Sequence, residues 1–118
     1  MLFRSRLPRR VGPARALELL TTARQVKAQE AVAIGLANHV YPASELRAKG
    51  FEMARMISAK GSIAVRLVKR AVQNGLNLDL FAACALETDL FVQTFATRDR
   101  KEGVSAFLEK RPAKFEGH

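Results

Sequence analysis

Residues 97–115, TRDRKEGVSAFLEKRPAKF, decide how the chain folds. Asp99 and Glu102 stand three residues apart, the spacing of a capping box in which the Asp carboxylate takes an orphan backbone N–H and the Glu reaches back. A helix is therefore expected to start at Asp99. Val104, Phe107 and Leu108 then fall at i, i+3 and i+4 and give it one apolar face, while Arg100, Lys101, Ser105, Glu109 and Lys110 point elsewhere. Pro112 ends the helix, because the residue before a proline is pushed out of the α region. The basic cluster Lys110, Arg111 and Lys114 lies at its C-terminal end, where the helix dipole favours cations.

Upstream, Leu78 to Ala96 predicts a helix of a different kind, with apolar residues all round the axis: Leu80, Phe81, Cys84, Leu86, Leu90, Phe91, Val92 and Phe95. Such a helix needs covering on every side, and the rest of the chain is too small to do it, so a missing domain or a partner subunit is implied. Ser62 to Asn74 predicts a helix stopped by Gly75 that buries Ala64, Val68, Ala71 and Val72 and turns Arg66, Lys69 and Arg70 outward. Ser44 can cap a helix reaching Ala59, with Leu46, Met53, Ala54 and Ile57 on one stripe. Gly50 weakens that helix by about 1 kcal/mol relative to alanine. Nearer the start, Pro13 opens a helix to about Thr21 along Ala14, Leu17 and Leu20. Another runs from Ala28 to Ile34 and is stopped by Gly35. Gln25–Val26 reads as a brief extended piece, Leu36–Tyr41 reads as a strand ending at Pro42, and Met1 to Arg10 shows no periodicity.

The chain has 118 residues, of which 48% are hydrophobic, which permits a modest core. One cysteine excludes an internal disulfide framework and fits a reducing compartment. No apolar run reaches the roughly 20 residues that span a bilayer, and Met1 to Gly12 has no secretory apolar region. A cytoplasmic location is expected, or the mitochondrial matrix for a eukaryotic source. The net charge is +9, and six cations against the single acid Glu18 in residues 1–24 supply more than half of it. An absent acidic neighbour explains that imbalance as well as a bound phosphate backbone does. The cationic face Arg66, Lys69 and Arg70 carries no interleaved aromatic residue, so it reads as solvated, and nucleic acid is not expected as a partner.

Nothing in the chain has metal-ligand spacing, and there is no glycine-rich phosphate loop. His39 and His118 read as structural or solvated. Cys84, in the most apolar helix with no adjacent cation, reads as a core residue. Glu87 reads as one half of a structural ion pair.

The pattern D-x-x-EG-x-x-AF-x-EKR-P-x-F, here Asp99, Glu102, Gly103, Ala106, Phe107, Glu109, Lys110, Arg111, Pro112 and Phe115, closely resembles the C-terminal signature of the crotonase (enoyl-CoA hydratase/isomerase) superfamily. RLPR-x-VG at Arg6 to Gly12 resembles a second mark of that family. A-x-EA-x-x-x-GL-x-N-x-V at Ala28, Glu30, Ala31, Gly35, Leu36, Asn38 and Val40 resembles a third. The resemblance runs from about Arg6 to Gly117, and Met1 to Ser5 is a candidate non-native segment. It implies a mainly α chain, the helical C-terminal portion of a crotonase-like (ClpP/crotonase) α/β fold with one or two short strands. Residues 1–42 would be the tail end of the spiral core and residues 43–118 a C-terminal helical oligomerisation domain.

The activity implied is hydration of a 2-enoyl-CoA to a 3-hydroxyacyl-CoA, with an enolate held by two backbone N–H groups and two glutamates as acid and base. Those groups belong to an upstream part of the family pattern, so no catalytic residue is assigned here and the chain alone is expected to be inactive. Coenzyme A enters as part of the acyl-CoA substrate, with no separate cofactor and no metal. Lys110 and Phe91 match a lysine and a phenylalanine that reach the CoA of a neighbouring subunit, and a homo-oligomer, trimer or dimer of trimers, is implied. The alternative from another class is a basic helical module for nucleic-acid binding or assembly.

Overall fold

Proline or glycine stands at or next to several of the helix ends in this chain. The computed structural model describes residues Phe3 to His118. Met1 and Leu2, in the segment suspected of being non-native, lie outside the described residues. Seven helices form among the described residues: α1 (Phe3–Val11), α2 (Pro13–Thr22), α3 (Ala28–Ala33), α4 (Ala43–Ser58), α5 (Ser62–Gly75), α6 (Leu80–Thr94) and α7 (Arg98–Leu108). The chain is mainly α, as its periodicities predict. No strand occurs among the described residues, which corrects the strand expected at Leu36–Tyr41. A strand exists only when a second one supplies its hydrogen bonds, and none is present among the described residues. None of the seven helices is long and apolar enough to cross a membrane.

Two compact units divide between Lys49 and Gly50, inside α4. In the first unit α1 packs on α2. No periodicity marks the residues before Arg10, yet α1 forms with Pro8 inside it, where packing on α2 and the burial of Val11 add to weak local preference. Gly12 at φ 84 separates the two helices, and Pro13 opens α2. Arg24 then ties α2 to α3: its Nε donates to Glu18 Oε1 at 2.9 Å and its two terminal nitrogens donate to both oxygens of Glu30 at 2.7 and 3.1 Å. That bidentate pair holds the Glu30 carboxyl below its ordinary range. Gly35 at φ 77 closes α3 in a Schellman motif, with Leu36 N–H donating to Ala31 O at 2.8 Å and Gly35 N–H to Val32 O at 3.0 Å.

Ser44 does not cap α4. Pro42 O accepts the N–H groups of Glu45 and Leu46 at 2.9 and 3.0 Å, so the helix begins directly behind the proline and Ser44 lies inside its first turn. In the second unit α5 packs on α6. Asp79 caps α6, its Oδ1 accepting Ala82 N–H at 3.0 Å.

Burial falls on other faces than the stripes predict. On α2 the buried residues are Ala16 and Leu19, and Leu17 is exposed. On α5 Leu67 is buried, while Val68 and Val72 are exposed. On α7 Ala106 is buried and Val104, Phe107 and Leu108 face out, Phe107 at 82% exposure. None of the residues of α4 is buried. On α6 only Leu90 is buried, at 3% exposure, whereas Phe81 is 89% exposed. Cys84 is exposed too, which corrects the core role expected for it; two neighbouring helices cannot surround a helix that is apolar on all sides.

Leu90→Ala is accordingly expected to destabilise the chain by about 2–4 kcal/mol through lost burial and a residual cavity. Phe81→Ala is expected to stay within about 0.5 kcal/mol of wild type. Urea unfolding followed by far-UV circular dichroism checks both values.

Candidate functional site

The α6–α7 corner is built from side chains that cap one helix while holding the other. Thr97 Oγ1 accepts the N–H of Arg100 at 3.1 Å, and its hydroxyl donates to Thr94 O at 2.7 Å. Thr97 is therefore the N-cap of α7. The Asp99–Glu102 capping box expected from the sequence does not form, because both carboxylates have longer-range partners. Asp99, 7% exposed, accepts the backbone N–H groups of Glu116 and Gly117 at 2.8 and 2.9 Å, and its own N–H donates to His118 O at 3.1 Å. The segment after α7 is thereby strapped back along the helix. Gly117 O takes a 3.4 Å hydrogen bond from Ser62 Oγ, and Phe115 packs on Gly103, where an added Cβ would stand 3.4 Å from its ring.

Glu102 holds the other end of that strap. Arg111 Nη1 and Nη2 donate to its two oxygens at 2.6 and 2.9 Å, and Lys114 N–H donates to Oε1 at 2.8 Å. These bonds, Arg111 first, pull the Glu102 carboxyl from 4.5 down to about 2. Arg111 Nε also reaches Glu109 at 2.5 Å. Of the basic cluster placed at the helix end, Arg111 is thus engaged by carboxylates. The helix itself stops at Leu108, short of all three cations.

Lys110 closes α7 as Gly35 closes α3. Arg111 N–H donates to Ala106 O at 3.0 Å and Lys110 N–H to Phe107 O at 3.3 Å, a second Schellman motif. Lys110 is held there at φ 53, a left-handed conformation that costs a side-chain-bearing residue roughly 1 kcal/mol. Its side chain is exposed. Phe91, at 60% exposure, stands on α6 with its ring 5.2 Å from that of Phe95, edge to face at 80°.

An open, mostly apolar groove of about 700 Å³ runs between α5 and the α6–α7 corner, with Leu67, Val72, Leu90 and Phe91 in its walls and Arg100 among its lining residues. Lys110 does not line it, so the structure does not gather Lys110 and Phe91 into one groove. Glu87 faces the groove and is exposed, and among the described residues it has no ion-pair partner, which corrects the pair expected for it. Arg66, Lys69 and Arg70 are exposed on α5, and His39 stacks loosely on Tyr41 at 5.8 Å. Among the described residues no cluster of His, Cys, Asp and Glu could hold a metal.

Over residues 1–118 the sequence matches the enoyl-CoA hydratase/isomerase family. The chain belongs to that family. It is 48% identical over 110 residues to the crotonyl-CoA hydratase of Syntrophomonas wolfei, covering 93% of this chain and 42% of that one. It is 40% identical over 116 residues to the mitochondrial methylglutaconyl-CoA hydratase of Rattus norvegicus, covering 95% and 37%. The crystal structure of an enoyl-CoA hydratase from Bacillus anthracis superposes with a TM-score of 0.94 at 42% identity, covering 98% of this chain and 45% of that one. The chain thus spans less than half the length of the relatives it matches, and its mainly helical architecture is a piece of the crotonase fold.

Two features of this family member escaped the sequence reading. The Asp99 and Glu102 anchors of the strap are hidden because their partners lie nine to eighteen residues away, outside any helical period. The stack of Arg100 over Phe95, 4.2 Å from guanidinium carbon to ring centroid, crosses from one helix to the next.

Acid should release the Glu102 clamp in a defined window. Its carboxyl titrates near 4.5 when unfolded and near 2 when folded, so its stabilisation is complete above about pH 4.5 and is lost as the pH falls toward 2. Glu102→Gln is expected to lower thermal stability at pH 7 and to flatten the dependence between pH 4.5 and 2. Melting curves across that range check it. Lys110→Gly, in contrast, should raise stability by about 1 kcal/mol by relieving the left-handed strain, measurable by urea unfolding.

Proposed function

We propose that this chain is the helical, coenzyme-contacting and assembly portion of an acyl-CoA hydratase, one that converts a 2-enoyl-CoA to a 3-hydroxyacyl-CoA, and that by itself it does not catalyse hydration. The observation that carries this reading is the family match along residues 1–118 combined with a span below half the relatives' length. Hydration needs a paired acid and base and an oxyanion hole, and removing one oxyanion donor typically costs about 2.7–4 kcal/mol of transition-state stabilisation. Of the two carboxylates that line the groove, Glu87 and Asp99, the second is already held by the N–H groups of Glu116 and Gly117. Asp99 and Glu102 are consumed by the strap.

Coenzyme A is the ligand we assign to Phe91 and Lys110, the ring for the adenine and the ammonium for a phosphate. Support comes from the exposure of Phe91 and from the backbone strain at Lys110. A side chain kept where glycine is cheaper is the kind of outlier that accompanies a functional contact. The exposed apolar faces of α4, α6 and α7 support assembly into a homotrimer or a dimer of trimers, since contiguous apolar surface of this kind marks an interface. A single cysteine fits the reducing cytoplasm.

A crotonyl-CoA hydration assay on the purified chain is expected to give no turnover above the uncatalysed rate. Calorimetry with CoA is expected to show binding that Lys110→Ala weakens by about 1–2 kcal/mol, the worth of one charge-assisted hydrogen bond near solvent. Lys110→Gly should lose as much affinity while gaining stability. Turnover would overturn the inactivity, and equal CoA affinity in all three proteins would remove Lys110 from the site.

A further inference from the structure

Lys110 is pinned from both sides while its own side chain stays uncommitted. On the helix side, Lys110 N–H donates to Phe107 O at 3.3 Å and Arg111 N–H to Ala106 O at 3.0 Å, the two bonds that close α7. On the strap side, the following residue is held through its side chain. Arg111 Nη1 and Nη2 fork onto Glu102 Oε1 and Oε2 at 2.6 and 2.9 Å, and Glu102 Oε1 also accepts Lys114 N–H at 2.8 Å. Glu109, the preceding residue, is engaged by Arg111 Nε. Lys110 is thus flanked by two ion-paired residues, and among the described residues its ammonium forms no salt bridge. Gly35 supplies the comparison within the molecule. It closes α3 with the same pair of bonds at φ 77, and the residue after it is the uncharged Leu36. The fork stands where a side chain must be held at φ 53, and not where glycine takes the turn freely.

We propose that Glu102 is a positioning residue for Lys110: its grip on Arg111 holds the left-handed turn from which the Lys110 ammonium meets a coenzyme phosphate. The proposal rests on the reading of Lys110 as a coenzyme contact. Without the fork the last turn of α7 is free to fray, as helix ends do, and Lys110 relaxes to the right-handed or extended conformations that a side chain prefers. Each of those sends the side chain in another direction, because the Cα–Cβ bond turns with φ and ψ. Lysine carries its charge on a flexible four-carbon stem, so fixing the direction in which that stem starts lowers the cost of ordering it on a ligand. Affinity then scales with the fraction of molecules in which the turn is formed. The Glu102 side chain is only 26% exposed, which shelters the fork from competing water. The sign of the effect separates this role from a plain charge effect. Removing an anion beside the turn would by Coulomb attraction alone strengthen the binding of an anionic ligand, whereas loss of positioning weakens it.

Two measurements on the full chain test this, on variants whose far-UV circular dichroism matches wild type. In the first, the Lys110 amide-to-α-proton coupling and α-carbon shift are read by NMR, since together they report φ. Glu102→Gln and Arg111→Met are each expected to move both toward the values of an unstructured lysine. Arg111→Lys, which keeps the charge without the fork, is expected to move them part of the way. Values unchanged in both Glu102→Gln and Arg111→Met overturn the proposal. In the second, CoA is titrated calorimetrically. Glu102→Gln is expected to weaken binding about two- to five-fold, less than Lys110→Ala does, and to have no effect in the Lys110→Ala background. Tighter binding, or an equal loss in both backgrounds, also overturns it, since Glu102 would then act without Lys110. The coenzyme reading fails in a different way: CoA affinity would be the same in wild type and Lys110→Ala while the Lys110 coupling still follows Glu102.

Discussion

A buried carboxylate governs the second half of this chain. Asp99 is the one charged side chain among the described residues with so little exposure, and a carboxylate out of water is tolerated only when its lone pairs are taken. The N–H groups of Glu116 and Gly117 take them. That satisfaction brings the chain end back across α7, sets Gly117 beside Ser62, and puts Phe115 on Gly103 at the groove. The crowding reaches Gly61, where an added Cβ would meet Asp99 Oδ2 at 3.0 Å, so the start of α5 also depends on where this carboxylate sits.

The rest of the molecule is short of core. Besides Asp99, the buried side chains among the described residues are Val11, Ala16 and Leu19 in one unit and Leu67, Leu90 and Ala106 in the other. Many more large apolar side chains are exposed than buried. Stability from burial grows with the area removed from water, and an arrangement of this kind leaves most of that area unused. The span of less than half the relatives' length fits that picture, since the apolar faces of α4, α6 and α7 are surfaces without cover in this chain.

Two Schellman motifs show the balance between stability and chemistry at single-residue scale. Gly35 and Lys110 occupy the same position relative to α3 and α7, at φ 77 and 53, and only glycine adopts that conformation without cost. Arg111, the next residue, gives the second motif a counterweight by pairing with Glu102, which stabilises the turn that strains Lys110. The left-handed turn and the ion pair together determine where the Lys110 side chain leaves the backbone.

The sequence by itself determined that the chain is helical, where most helices begin and end, and which family it belongs to. Those are local properties: Pro13, Gly35, Pro42 and Gly75 act on their own backbone, and the family marks are short runs read in place. Tertiary structure decided which face of each helix is buried. In α2 apolar residues occupy more than one stripe, so period alone leaves the phase open, and packing chose Ala16 and Leu19 over Leu17. Tertiary structure also decided what Asp99 and Glu102 do. Their spacing suits a capping box, but a carboxylate takes the donors that folding brings to it, and here those are the strap amides and the Arg111 guanidinium. The Arg100–Phe95–Phe91 stack was unreadable for the same reason, because it exists only where the Thr97 cap turns α6 into α7.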